Sequence, residues 1–126
     1  DEPLVPGIHG LSNHFLNTPW PKVQRATTAM QDHVKGADDA LVEGLFTLLA
    51  EDTIAPDDQL PDTGLPLPVE RTASAIFIRS TGYGTRCSTV VGVGIDGRVR
   101  FEERVFQNRT VTVLEFAVGG LVAPDA

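Results

Sequence analysis

The chain has 126 residues, 17 acidic against 10 basic, and a formal net charge of −7. That length suits one domain. The charge argues against a nucleic-acid binder, because phosphate neutralisation needs clustered Lys and Arg, and here the basic residues are scattered among acids. No apolar run is long enough to cross a bilayer, no signal-peptide pattern is visible, and a single cysteine, Cys87, forbids an internal disulfide. A soluble, cytoplasmic protein is the expectation.

In chain order, the apolar residues Leu4, Val5, Ile8 and Leu11 among prolines and glycines predict a short strand or extended segment over 7–12, ending at Asn13. Thr18-Pro19-Trp20-Pro21 reads as a helix entrance, since proline suits the first turn, where its missing N–H costs nothing. Val23, Ala26, Met30 and Val34 recur at helical spacing from Pro21, and Gly36 closes that helix. A second helix is expected from Asp38, with Leu41, Leu45, Leu48 and Leu49 as its buried stripe; Gly44 within it would permit close packing. Residues 53–71, with four prolines and the acids Asp57, Asp58, Asp62 and Glu70, read as a long loop. A β-meander follows: strands over 74–79, 85–95, 99–106 and 111–118, with turns at Thr81-Gly82-Tyr83-Gly84 and Asp96-Gly97. The fold class expected is α+β, two helices packed on a mainly antiparallel sheet. Strand 85–95 is apolar on both faces, which predicts burial on both sides. Two helices cover only one side, so another segment or a second copy is expected against the face around Val90 to Val93.

Three blocks, in order across about residues 7–106, resemble one family. They are Gly7-Ile8-His9-Gly10-Leu11-Ser12-Asn13 with Thr18-Pro19-Trp20-Pro21-Lys22-Val23; Leu60-Pro61-Asp62-Thr63-Gly64 with Glu70-Arg71; and Ile76-Phe77-Ile78 leading to Tyr83-Gly84-Thr85-Arg86-Cys87-Ser88-Thr89-Val90, with Cys87 where Ser is common. The resemblance is to the NRDE family, also called transport and Golgi organisation two. Its full chain is about twice this length, begins Met-Cys, and carries an Asn-Arg-Asp-Glu motif in its first half; here Asn108-Arg109 is followed by Thr110. The resemblance implies a fold like that of N-terminal-nucleophile hydrolases, an αββα sandwich. Residues 1–126 would be the C-terminal half of that single domain, and the missing N-terminal half, or a second copy, would be its partner.

Site residues follow from the same resemblance. Asn13 looks like the oxyanion-stabilising Asn of choloylglycine and penicillin-amide hydrolases, where a fixed neutral donor faces developing charge. Arg86 resembles an Arg held beside the N-terminal Cys, favouring thiolate. The two are expected to line one cleft, on the order of 10 Å apart; the plainer alternatives are a turn-capping Asn13 and a surface-paired Arg86. Family members are implicated in haem trafficking, and haem, apolar with two propionates, needs an apolar cleft with a few donors, for which His9, Lys22 and Arg86 are the candidates. The function implied is therefore a haem carrier in the full-length form. The rivals are an amidohydrolase whose Cys nucleophile comes from the other half, and a non-catalytic scaffold. A small apolar ligand and no bound metal site are expected. His33 reads as solvated, Cys87 as a small buried residue, Trp20 and Tyr83 as packing or pocket wall, and Asp57, Asp58 and Asp62 as a solvated acidic loop lacking calcium-loop spacing.

Overall fold

Proline at the first helical position sets where the helices begin. In the structure, a computed structural model that describes residues 2–36 and 38–119 (of Asp38 and Asp39 the backbone alone), α1 spans Pro21–His33 with Trp20 as its extended N-cap. The ring of Pro21 fixes φ, and its absent N–H would have found no partner there. Helix α2 spans Asp38–Leu49. The two pack closely: the His33 imidazole lies against the α-carbon of Gly44, leaving no room for a β-carbon. His33 is thus half-buried in a helix contact rather than solvated. The chain divides into two compact units, Asp1–Gly84 and Thr85–Ala126.

In the first unit, residues 7–12 are extended but pair with no strand. They run across α1 instead, and a β-carbon on Gly10 would stand 2.6 Å from Val23 Cγ1 and 3.1 Å from Thr27 Cγ2. Residues 53–71, expected as an open loop, contain a 3-10 turn at Asp57–Gln59 and a third helix, α3, at Leu67–Ala73. The prolines misled because they flank and open the helix: Pro66 is its N-cap and Pro68 lies in its first turn, where proline is harmless. Asp57 belongs to structure as well, accepting both Nε (2.7 Å) and Nη2 (2.6 Å) of Arg71. The strand expected over 74–79 shrinks to β1, Arg79–Ser80, paired antiparallel with β2, Tyr83–Gly84, across a turn where Gly82 has φ +77°. The N–H of Phe77 is the reason: it donates to the Glu51 carbonyl at the end of α2 (2.8 Å), so this segment is tied to a helix end. Ala55 N–H likewise donates to Ser74 Oγ (2.8 Å), and Ala55, Ala75, Phe77, Val23 and Phe46 form the buried apolar core of this unit.

The second unit is a meander of β3 (Cys87–Val93), β4 (Arg98–Val105) and β5 (Thr110–Ala117), antiparallel in that order. Asp96-Gly97 makes the first hairpin as expected: Gly97 has φ +79° and Asp96 Oδ1 accepts the Arg98 N–H (3.0 Å). Register assigns the faces. One carries Ser88 and Val90, Arg104, Glu102 and Arg100, then Val111, Val113 and Glu115. On it Glu102, buried, accepts from Arg104 (2.8 Å) and Arg100 (3.1 Å), while Arg100 also reaches Glu115 opposite it (2.7 Å). The other face carries the apolar rows Val91–Phe101–Leu114 and Val93–Val99–Phe116. Val91, Val93, Leu114 and Phe116 on it are each about half exposed. Burial along β3 therefore falls on Ser88 and Val90 and not on both faces. The whole is α+β, helices with antiparallel strands.

Two outcomes test this packing. Gly10→Ala meets Val23 and Thr27, β-branched side chains with little χ1 freedom on a helix; it should cost about 2 kcal/mol in chemical denaturation, although the φ of Gly10 would accept alanine. Glu102 is held below its ordinary value of 4.5 chiefly by its hydrogen bonds from Arg104, then Arg100. A depressed carboxylate contributes stability that is complete above its unfolded pKa and lost as pH falls through the folded one. Tm should thus be flat near neutrality and fall below about pH 4.5. Glu102→Gln should lower stability at pH 7 by about 2 kcal/mol and flatten the acid limb.

Candidate functional site

A compact loop, 10–17, delivers the first wall. Asn17, in the left-handed region at φ +59°, closes it: its N–H donates to the Gly10 carbonyl (2.7 Å) and its Oδ1 accepts the Gly10 N–H (2.9 Å). Its Nδ2 donates to His9 Nδ1 (2.9 Å), and His9 Nε2–H donates to the Val5 carbonyl (2.7 Å). Both nitrogens of His9 are thereby engaged, which fixes the Nε2–H tautomer and leaves no free lone pair for a metal. Asn13 stands at the tip of this loop, exposed, and its amide makes no hydrogen bond with the described residues. It does not cap the turn. His14 bonds to Thr18 Oγ1 (3.0 Å) and lies with its ring 5.5 Å from the Trp20 indole.

Opposite this wall runs the 59–65 loop, held by a buried carboxylate. Glu70, in the first turn of α3, accepts from the backbone N–H of Thr63 (2.8 Å) and from its hydroxyl. The Thr63 hydroxyl first, then the N–H groups of Thr63 and Leu65, hold Glu70 below the usual carboxylate range against its burial.

Between these walls lie two adjoining recesses. The inner one, about 150 Å³, is lined by Asn13, Trp20, Pro21, Lys22, Pro61, Leu65 and the α3 residues Glu70 and Ala73, with Thr63 and Ser74. The outer one, about 560 Å³, shares Asn13, Trp20, Pro21, Pro61 and Thr63 and adds His14, Gln59 and Asp62. Lys22 is the cation of the inner recess. Its Nζ donates to the Ala73 carbonyl (2.9 Å), the last residue of α3, and partial burial pulls its pKa below the ordinary 10.5. One turn along α1, Arg25 reaches the neighbouring Ser74 carbonyl (3.2 Å), the Thr53 carbonyl (2.7 Å) and Glu51 (3.0 Å).

Of the residues singled out by sequence, Asn13, Trp20 and Lys22 are brought together on the inner recess. His9 lies outside the recesses and braces the loop. Arg86 is exposed and belongs to the second unit, where its carbonyl accepts the Phe106 N–H (3.0 Å). Tyr83 is exposed on β2 and does not line the recesses; Cys87 is half-buried on β3. Asn17, Thr63 and Glu70 were missed. An Asn tolerant of positive φ at the end of a Gly-started loop was the available signal for the first; Thr63 and Glu70 stood in the second family-resembling block, but nothing joined them to each other without α3. Among the described residues no cluster of His, Cys, Asp or Glu is placed to hold a metal ion, and no helix is long and apolar enough to cross a membrane.

Residues 1–108 match the family Transport and Golgi organisation 2. A bovine (Bos taurus) Transport and Golgi organization protein 2 homolog is 38% identical over 112 residues, covering 80% of this chain and 39% of the bovine one. The human (Homo sapiens) homolog is 34% identical over 116 residues, 86% and 42% respectively, and the mouse (Mus musculus) homolog 35% over 112 residues, 82% and 41%. The chain thus spans about two-fifths of the length of these relatives. With the family matched over most of its residues, the chain belongs to the Transport and Golgi organisation 2 family.

Proposed function

We propose that this chain supplies one wall of a ligand cleft in a cytoplasmic carrier of haem. The observation that supports the reading is the pairing of Lys22 and Asn13 on a recess whose apolar wall is Trp20, Pro21, Pro61, Leu65 and Ala73. Haem offers a flat apolar ring with two propionates, so it calls for apolar walls and a few fixed donors. The inner recess admits a propionate arm and not the macrocycle, which would lie over Trp20 and the outer recess. With both nitrogens engaged, His9 braces the Asn13 loop in this reading; Arg86 is a further donor only if the second unit closes on the same cleft. Titration of the whole protein with haem should give a saturable Soret shift, weakened about fivefold by Asn13→Ala, the loss of one hydrogen bond. A featureless titration would remove the reading.

The exposed amide of Asn13 also favours a second reading, an amidohydrolase in which Asn13 is the oxyanion donor and Arg86 converges on a Cys nucleophile from outside this chain. On that account the present chain alone is catalytically silent. A whole protein that hydrolyses amides and ignores haem would support it.

The partner proposed is the remainder of the protein or a second copy, packed in a sandwich on the Val91–Phe101–Leu114 and Val93–Val99–Phe116 face. Half-exposed Val, Leu and Phe in register favour it. Phe116→Glu should leave the stability of this chain nearly unchanged while destabilising the whole protein by about 2 kcal/mol or more. Equal effects in both would count against a covered face.

A further inference from the structure

Lys22 is a half-buried ammonium. Its Nζ has one acceptor, the Ala73 carbonyl, and among the described residues no carboxylate pairs with it. The recess does contain a carboxylate, Glu70, but that group is buried and taken up by Thr63 and Leu65. An ammonium removed from water without a compensating anion is costly, and it keeps two N–H donors in reserve. What the recess lacks is an anion. Burial, with no opposing charge, already lowers the Lys22 pKa, as expected of a cation awaiting one.

Size and walls narrow the class of that anion. The inner recess, about 150 Å³, is the size of apolar cavities that take a benzene-sized guest, about six heavy atoms. Pro21, Pro61 and Leu65 bring no side-chain donors, and the Thr63 and Ser74 hydroxyls already donate to Glu70 and the Arg71 carbonyl. Beside Lys22, the Asn13 amide and the Trp20 indole N–H are the remaining side-chain donors of the lining, fewer than a phosphate group calls for. We propose that the inner recess is a carboxylate subsite, in which Lys22 Nζ and the Asn13 amide take the acid group of an apolar monocarboxylate or carboxylate arm, its carbons lying against Trp20, Pro21 and Leu65. This deepens the cleft reading above without depending on haem as the cargo.

Lys22 and Lys35 are the two lysines of the chain, so one serves as reference for the other. The probe is butanoate, with butanamide as its neutral match. Trace reductive methylation, read by mass spectrometry, should slow at Lys22 about threefold or more when butanoate saturates the recess, because the bound anion raises the ammonium pKa. Lys35, exposed, should not respond, and butanamide should protect neither. Equal response of the two lysines, or equal protection by butanamide, overturns the subsite. Lys22→Met risks unseating α3, so Lys22→Arg and Asn13→Ala are the informative variants. Arginine should retain butanoate binding, read by NMR titration, and Asn13→Ala at its exposed position should weaken it about fivefold. Unchanged affinity in Asn13→Ala overturns the part given to Asn13. Two results separate this from the carrier reading. Haem dimethyl ester binding as tightly as haem would overturn the subsite and spare the carrier. Protection of Lys22 by butanoate in a whole protein that ignores haem would do the reverse.

Discussion

The end of α3 is held by two cations of α1, and the first unit is arranged around that contact. Lys22 and Arg25 stand three residues apart on one helix face and reach the successive carbonyls of Ala73 and Ser74. The last carbonyls of a helix lack internal partners and carry partial negative charge, so cations are the natural groups to meet them. Arg25 extends the grip to Glu51 and the Thr53 carbonyl, just beyond α2. One face of α1 thereby fixes where α2 ends and where α3 lies. The inner recess is the gap left between Trp20 at the start of α1 and the loop that α3 anchors through Glu70.

The second unit relies on a different asymmetry. A sheet of three strands has two faces, and here one is organised by charge and the other by apolar side chains. Glu102 sits between Arg100 and Arg104 on its own strand, two residues either way, while Glu115 meets Arg100 from the neighbouring strand. A carboxylate this buried is tolerable because each oxygen has a guanidinium partner. The ladder also pins register, since a slip by one residue would carry Glu102 to the side of Val91 and Leu114.

What could be read from the residues alone was what local chemistry controls. Pro21 and the 3.6-residue spacing placed α1, Asp38 and the leucines placed α2, and Asp96-Gly97 placed a hairpin, because each signal acts within a few residues. The failures were contacts made across long stretches. Phe77 looks like strand, yet its N–H is claimed by Glu51, 26 residues earlier. Helix α3 was hidden because its prolines were counted as breakers without regard to position. Resemblance to the family pointed to Asn13 and Lys22 as site residues, but the Ala73 carbonyl that positions Lys22 lies 51 residues away, and no local pattern connects them. Gly44 was read correctly as a packing glycine, while its neighbour in that packing, His33, was read as solvated, because a helical face gives no sign of which helix will cover it.

The contrast between Lys22 and Arg25 explains why one can bind and the other only brace. Arg25 has a planar fork whose donors are directed at three acceptors, Glu51, Thr53 and Ser74; a guanidinium so engaged is a fixed strut. Lys22 presents a compact ammonium with one protein acceptor and a flexible stem. A lysine at Arg25 could not serve three acceptors in different directions. The same helix face therefore carries one cation paired with Glu51 and tied to two carbonyls, and another with a single acceptor that lines the inner recess. Among the described residues no carboxylate pairs with the second.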